Sequence, residues 1–277
     1  MANMKSKRVL ITGAAGGIGF CLAEECARAG CVLVITDINE SKLDEAAAKL
    51  RATGATAHAR RMDVTRKEDA DEMAKWVIDE LGGLDVLVNN AGVGFLAELA
   101  ETRLDDWKRL MDVNFMGPLY LVYAFLPWMI EHRHGHIVNV SSGQAFFRLP
   151  TWGAYATIKL ALGAFSELLA VEIRKYDIRV TTVYPFMVNT GFYGDIKGET
   201  FMAKLSMKLV PYYSMSPQTV GRIIFRAIEK QKKVEMVSLI NDLGYFTRFV
   251  PPIADIIGYT ANLFLTKNAD HAPAHKG

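Results

Sequence analysis

Cysteine is scarce in this chain. Cys21, Cys26 and Cys31 are the only three among 277 residues, an odd number with no Cys-x-x-Cys pair. That excludes a disulfide-stapled scaffold and a paired-thiol zinc or redox motif, and predicts buried free thiols in a reducing cytosol. Charge of one sign is lacking too: 32 basic and 30 acidic residues leave a net +2, so nothing marks a nucleic-acid footprint. No repeat, low-complexity tract or linker divides the sequence, and residues 1–7 are polar, so no signal peptide is expected ahead of residue 9. What is present is apolar material. Residues of hydrophobic type make up 51% and charged ones 22%, a balance that folds, over a length that one large α/β domain spanning 1–277 can use.

Short, nearly continuous β-branched runs at 9–11, 32–35, 86–88, 137–140 and 180–183 read as strands buried on both faces. A weaker strand is expected within 55–62 and a last one at 234–238. Helical patterns lie between them at 17–29, 41–52, 67–81, 104–131, 154–175 and 217–230. Thr65 with Glu68 three residues on fits a capping box, and Ser216-Pro217 fits a cap followed by proline at the first helical position. The alternation predicts a doubly wound α/β (Rossmann) fold, a parallel sheet with helices on both faces.

Gly13, Gly17, Ile18 and Gly19 occupy the turn between the first strand and first helix, spaced G-x-x-x-G-x-G. Glycines there let the backbone meet a pyrophosphate while the helix amino terminus points amides at the anion. Asp37 ends the second strand, where a carboxylate accepts ribose hydroxyls and repels a 2′-phosphate. Ala14, Ala15 and Ile38 supply no neighbouring cation, so NAD is favoured over NADP. A bare helix-capping role for Asp37 is the alternative. Asp63-Val64 follows the third strand, where Asp63 either bonds the adenine amino group or caps the next helix.

Tyr155 and Lys159 stand four residues apart, on one helical face, with Ser142 upstream. A cation beside a phenol favours its anion and makes it an acid or base near neutral pH. With the glycine turn, these residues point to hydride transfer involving a nicotinamide.

Taken together, Thr12 to Gly19, Asn89-Asn90-Ala91-Gly92, Asn114, Ser142 and Tyr155-x-x-x-Lys159 appear in an order and spacing that resembles the short-chain dehydrogenase/reductase family, from about residue 8 to 190. The resemblance implies a seven-stranded parallel sheet, a nicotinamide cofactor and a homodimer or homotetramer. It implies that Tyr155 is the general acid/base and that Lys159 tunes it and binds the nicotinamide ribose. Ser142 would bond the substrate oxygen, with Ser141 its competitor, and Asn114 would hold a water leading from Lys159 to solvent. Asn90, Ala91, Gly92 and Pro185 would lie along the cofactor, and Thr190 would reach the carboxamide. The chain departs from the family in having Phe186 after Pro185 where glycine is usual, and Ile158 before Lys159 where serine is frequent.

Phe95, Gln144, Phe147, Leu149, Trp152, Phe186 and Phe192 are candidates to shape the substrate pocket; most are aromatic, which favours a bulky apolar alcohol or ketone of steroid, terpenoid, aryl or long-chain type. Residues 186–215 are expected to form a lid. His132, His134 and His136 read as a polar loop entering the fifth strand, with no metal expected, and Arg60-Arg61 as a solvated pair. Leu239, Leu243, Phe246 and Val250, then Ile253, Ile256, Ile257 and Phe264 beyond Pro251-Pro252, suggest two short amphipathic helices within 239–277. These would pack on the sheet or a subunit partner, cover the substrate, or touch a membrane surface. The expected activity is NAD-dependent interconversion of a secondary alcohol and a ketone in the cytoplasm. A 3-oxoacyl thioester reductase and a non-catalytic cofactor-binding scaffold are the alternatives.

Overall fold

The computed structural model describes residues 2–147, 149–190 and 214–247, and beyond them 250, 252, 255, 256 and 259–261. Seven parallel strands form one sheet: β1 (Arg8–Thr12), β2 (Val32–Thr36), β3 (Ala57–Ala59), β4 (Val86–Asn89), β5 (Gly135–Val140), β6 (Ile178–Tyr184) and β7 (Val234–Met236), in the order β3-β2-β1-β4-β5-β6-β7. The weak strand expected within 55–62 shrinks to three residues at the edge of the sheet, where only β2 pairs with it.

The continuous apolar runs divide their side chains between two cores, as strand alternation requires. On one face Val9, Ile11, Leu33 and Ile35 pack against α1 (Gly17–Arg28), α2 (Glu40–Ala52) and α7 (Pro217–Glu229). On the other, Leu10, Val34, Leu87 and Ile137 pack against α3 (Lys67–Leu81), α5 (Gly117–His132) and α6 (Gly153–Ile173). Cys21, Cys26 and Cys31 are all buried and free, as the sequence predicted.

The helix expected at 104–131 is broken. It comprises α4 (Leu104–Met111), a π-helical turn (Asp112–Met116) and α5. The combined stretch Leu104–His132 is long and apolar enough to cross a membrane by composition. Its apolarity serves the core instead: Leu121, Val122, Phe125 and Met129 are fully buried under the sheet.

Local chemistry corrects several expectations. Ser216 does cap α7, its Oγ accepting from the Thr219 N–H at 3.2 Å. Thr65 does not cap α3: Arg66 occupies the N-cap, and Thr65 N–H and hydroxyl both donate to Asp63 Oδ1 at 2.9 and 2.8 Å. A carboxylate two residues upstream takes the Thr65 N–H that the capping box would have given to Glu68, and turns the hydroxyl into a donor to itself. The three histidines diverge: His132 stacks on Trp128 with ring centroids 4.1 Å apart, His134 bonds Asp85, and His136 bonds Thr181. Arg60 and Arg61 are both exposed, as expected of a solvated pair, and Arg60 also lies over the Trp76 ring, 4.5 Å from its centroid.

Helix α8 (Leu239–Thr247) does not pack its apolar face on the sheet, which was one of the expected alternatives. Its buried residues are Asn241, Gly244 and Thr247. The apolar set faces outward, with Leu239 86%, Leu243 65% and Phe246 63% exposed. Asn241 Nδ2 donates to Tyr184 O, Gly244 meets the Phe147 ring, and these polar and small contacts hold the helix against the end of β6. Ile253, Ile257 and Phe264 lie outside the described residues.

Candidate active site

Strand order reverses between β1 and β4, and both strands point their carboxyl ends at the same crevice, the place where open α/β sheets bind ligands. The glycine turn fills one side. Gly13 and Gly17 have φ of 64° and 56°, in the left-handed region that glycine tolerates. A Cβ on Gly19 would lie 2.3 Å from Gly13 O, so the turn closes only without a side chain there. Gly16 is the N-cap of α1, with no side-chain cap and no acidic residue in the first turn. The helix therefore presents its leading N–H groups and positive dipole end to the crevice.

Asn90 locks this turn from β4. Its Nδ2 donates to Thr12 O and Gly13 O at 2.9 and 3.1 Å, and Thr12 Oγ1 accepts from the N–H groups of Asn90 and Ala91. Asp37 stands at the end of β2, its carboxylate accepting from Ala15 N–H at 3.2 Å and Asn39 N–H at 3.0 Å. Asn39, not Asp37, caps α2. The sequence argument missed Lys42. It comes from the first turn of α2 and lines the cleft with Asp37 and Asn39; its distance from Asp37 in sequence hid it from a search of adjacent positions.

Ser142, Tyr155 and Lys159 enter the other half of the same cavity, about 560 Å³ in volume. The two serines after β5 have different tasks. Ser141 Oγ donates to Lys159 O at 2.6 Å, while Ser142 caps the short 3₁₀ turn Gly143–Phe146 and accepts from Gln144 N–H at 3.2 Å. Tyr155 is buried with its ring edge-on to Trp152 at 5.6 Å. Lys159 lies one turn further along α6, its Nζ 6.0 Å from the Tyr155 ring centroid and donating to Val140 O at 3.0 Å. Burial pushes its ammonium pKa down to about 8, because a charge removed from water is disfavoured. Asn114, in the π turn, is fully buried and pairs both ends of its amide with the Val93 backbone, accepting at 3.1 Å and donating at 3.0 Å. A Cβ on Gly92 would lie 2.8 Å from Asn114 Oδ1 and 3.4 Å from Lys159 Nζ, so both groups border the space that Gly92 leaves open.

Gly13, Gly17, Ile18, Asp37, Asn90, Ala91, Gly92, Pro185 and Thr190 all line the cavity. Gly19 shapes the turn beneath it. Asp63 and Val64 are absent from the lining: one carboxylate oxygen of Asp63 serves Thr65, and Val64 packs on Gly117.

The aromatic candidates need correction. Among the described pocket candidates, Gln144 and Trp152 line the cavity. Phe95 and Leu149 pack into the cluster around Trp152, Tyr155 and Leu110. Phe147 and Phe186 pack against each other with ring centroids 5.1 Å apart and planes tilted by 41°, and Phe147 is held under α8. Aromatic side chains near a site also fill the gaps between its supporting elements, and composition alone does not separate the two uses. Phe192 and most of the expected lid lie outside the described residues. Met187 and Val188, within the expected lid segment, line the cavity, Met187 with a positive φ of 47°. That backbone is uncommon for a residue with a side chain.

A family model described as short chain dehydrogenase matches residues 7–199. Human estradiol 17-beta-dehydrogenase 11 is 35% identical over 246 residues, covering 88% of this chain and 79% of that protein. An uncharacterised oxidoreductase of Staphylococcus epidermidis is 34% identical over 190 residues, 69% of this chain and 81% of that one. Among solved structures, a short-chain dehydrogenase/reductase from Burkholderia phymatum in complex with NAD superposes with a TM-score of 0.84 at 25% identity, covering 92% of this chain and 97% of that one. LigO from Sphingobium sp. strain SYK-6, in its apo form, gives 0.79 at 28% identity over 98% and 94% of the two chains. The glycine turn, the Tyr155–Lys159 pair and these likenesses agree: the chain belongs to the short-chain dehydrogenase/reductase family and is an oxidoreductase of that family.

Proposed function

We propose that this oxidoreductase uses NAD to interconvert a secondary alcohol and a ketone on a bulky apolar substrate of hydroxysteroid, terpenoid, aryl or long-chain type. The observation that carries the reading is the meeting of Ser142, Tyr155 and Lys159 in a cavity whose other half is the glycine turn and Asp37. Likeness to an estradiol dehydrogenase supports the apolar alcohol, and likeness to an NAD complex supports the cofactor.

The uncapped amino end of α1 fits a pyrophosphate and Asp37 fits the adenosine ribose. Bound there, NAD supplies the hydride acceptor. Tyr155 as phenolate takes the proton from the substrate hydroxyl while Ser142 Oγ holds the oxygen. Proton transfer by a placed side chain contributes roughly 10²–10⁴-fold, and fixed geometry adds to it. Protonated Lys159 favours the phenolate and would hold the nicotinamide ribose when the cofactor is bound. A water in the space beside Gly92, held between Asn114 Oδ1 and Lys159 Nζ, would return the proton to solvent. Because burial holds Lys159 near 8, it carries its charge at neutral pH and loses it above that value. The rate of oxidation is therefore expected to fall on the alkaline side.

The buried free thiols support a cytoplasmic setting, and the family supports a homodimer or homotetramer. The outward apolar residues of α8 support a contact surface, for a subunit or a peripheral membrane. A panel of secondary alcohols of increasing apolar size, assayed with NAD and NADP by absorbance of the reduced cofactor, tests the reading. Rising kcat/KM with size and a preference for NAD are expected; preference for small charged hydroxy acids or for NADP overturns the corresponding part.

A further inference from the structure

Gln144 stands two residues beyond Ser142 on the same 3₁₀ turn, is 4% exposed and lines the cavity beside Trp152 and Tyr155. Its backbone N–H is engaged by Ser142 Oγ. Its side chain is not: among the described residues both Oε1 and Nε2 are buried with no hydrogen-bond partner. Other buried polar atoms lack partners, but no other residue has both ends of an amide in that condition, and none of the others lines the cavity. Asn114, equally buried and nearby, shows the usual solution, with its donor and one acceptor position paired to Val93.

An unpaired buried amide is disfavoured, so a side chain kept in this state at the wall of a cavity is matched by something that enters it. We propose that Gln144 is a specificity residue that receives a second polar group of the substrate. This rests on reading the cavity as a site for alcohol oxidation. Ser142 and Gln144 share one short turn, so the second group lies within a few bonds of the reacting carbinol. The amide offers one donor end and one acceptor end. A hydroxyl satisfies both at once, and a carbonyl satisfies the donor. The substrate class is therefore a diol or hydroxy-ketone on an apolar frame, in place of an isolated alcohol. Discrimination follows from the same physics, since a substrate without the second oxygen would leave the amide unpaired in a desolvated complex.

A matched pair tests this: 1-phenyl-1-propanol and 1-phenyl-1,2-propanediol, with NAD, for the parent enzyme and for Gln144→Leu. The parent should favour the diol by about tenfold or more in kcat/KM, the effect of roughly one well-made hydrogen bond to a buried group. Gln144→Leu should remove that preference, with NAD affinity changed by less than about twofold. Gln144→Met, closer in shape, guards against a folding defect and should behave as the leucine variant does. An unchanged diol preference in both variants overturns the proposal, as does a loss confined to NAD affinity. A second measurement needs no turnover. Calorimetry with NADH-loaded Tyr155→Phe should show the 1,2-dione binding about tenfold more tightly than propiophenone, and Gln144→Leu in that background should equalise them. Equal affinities in both proteins sink the role of Gln144 even where alcohols are oxidised. A dione preference that depends on Gln144, in an enzyme that oxidises no secondary alcohol, sinks the dehydrogenase reading and leaves the polar pocket standing.

Discussion

The two ends of the sheet hold their buried polar groups in opposite ways. At the amino end, Asp85 is 7% exposed and both its oxygens are engaged: Oδ1 by Lys7 Nζ and His134 Nε2 at 3.1 and 2.8 Å, Oδ2 by the Arg8 N–H and Arg8 Nε at 2.8 and 2.7 Å. Burial alone would raise its pKa. The hydrogen bonds from Arg8, His134 and Lys7 outweigh burial and hold the carboxyl well below its ordinary range. At the carboxyl end, Gln144 is unpaired and Lys159 is a buried ammonium with a depressed pKa. The same strands thus carry a fully paired carboxylate at one end and, at the other, an amide side chain without a partner among the described residues and an ammonium with a bond to Val140 O. The first joins β1, β4 and the loop before β5; the second leaves interactions open for a ligand.

If that division holds, substitutions at the two ends should separate activity from stability. Tyr155→Phe should lower kcat by roughly 10²–10⁴-fold while leaving the melting temperature and NAD affinity near the parent's. A phenylalanine variant that turns over normally would remove Tyr155 from the mechanism. Asp85→Asn should do the reverse, lowering the unfolding free energy by about 3 kcal/mol, because Lys7 and Arg8 lose their shared counter-charge and His134 loses a charged hydrogen-bond partner. Its kcat/KM at 25 °C should stay within about twofold, and a parallel fall in turnover would break the comparison. The stability that Asp85 contributes is present above its unfolded pKa of 3.8 and is lost as pH falls below it.

Lys159→Met tests the cost of function at the carboxyl end. The folded pKa of about 8 lies below the unfolded 10.5. The penalty for burying the ammonium is therefore fully present below about 8 and disappears as pH rises through 10.5. The variant should be inactive yet more stable than the parent by up to about 3 kcal/mol at pH 7, with the gap closing by pH 10.5 in denaturant titrations. A variant less stable at both pH values would show that the hydrogen bond to Val140 outweighs desolvation. The smallest effect concerns the cofactor. Asp37→Ala should weaken NAD binding about tenfold and Lys42→Ala should lower whatever NADP affinity exists, both read from kcat/KM with each cofactor.

The strands and the helices on both faces were legible because buried parallel strands demand apolar runs and their covering helices demand a 3.6-residue period. That Gly13, Gly17, Asp37, Ser142, Tyr155 and Lys159 meet in one cavity was legible because each stands at the carboxyl end of a strand or near the start of the helix after it. What was illegible depends on tertiary placement. Lys42 reaches the cleft only because α2 starts where Asn39 caps it. Phe147 and Phe186 left the predicted pocket because each is the other's packing partner. The apolar residues of α8 were identified correctly as a face, but periodicity gives a face without its direction. Here Asn241 bonding to the end of β6 turns that face outward.

The π turn between α4 and α5 sets the phase of a long helix. One extra residue in that turn rotates everything beyond it by about 100° relative to an unbroken helix. The turn itself is thereby aligned to the cleft, where its Asn114 meets Val93, while the segment after it is aligned to the sheet, where Leu121 and Phe125 are buried. Deleting a single residue from Asp112–Met116 would restore regular helical winding and force a choice between the two alignments. Length variation should therefore be tolerated less in this helix than in the loops it connects, and a chain one residue shorter there should keep either its core or its asparagine in place, but not both.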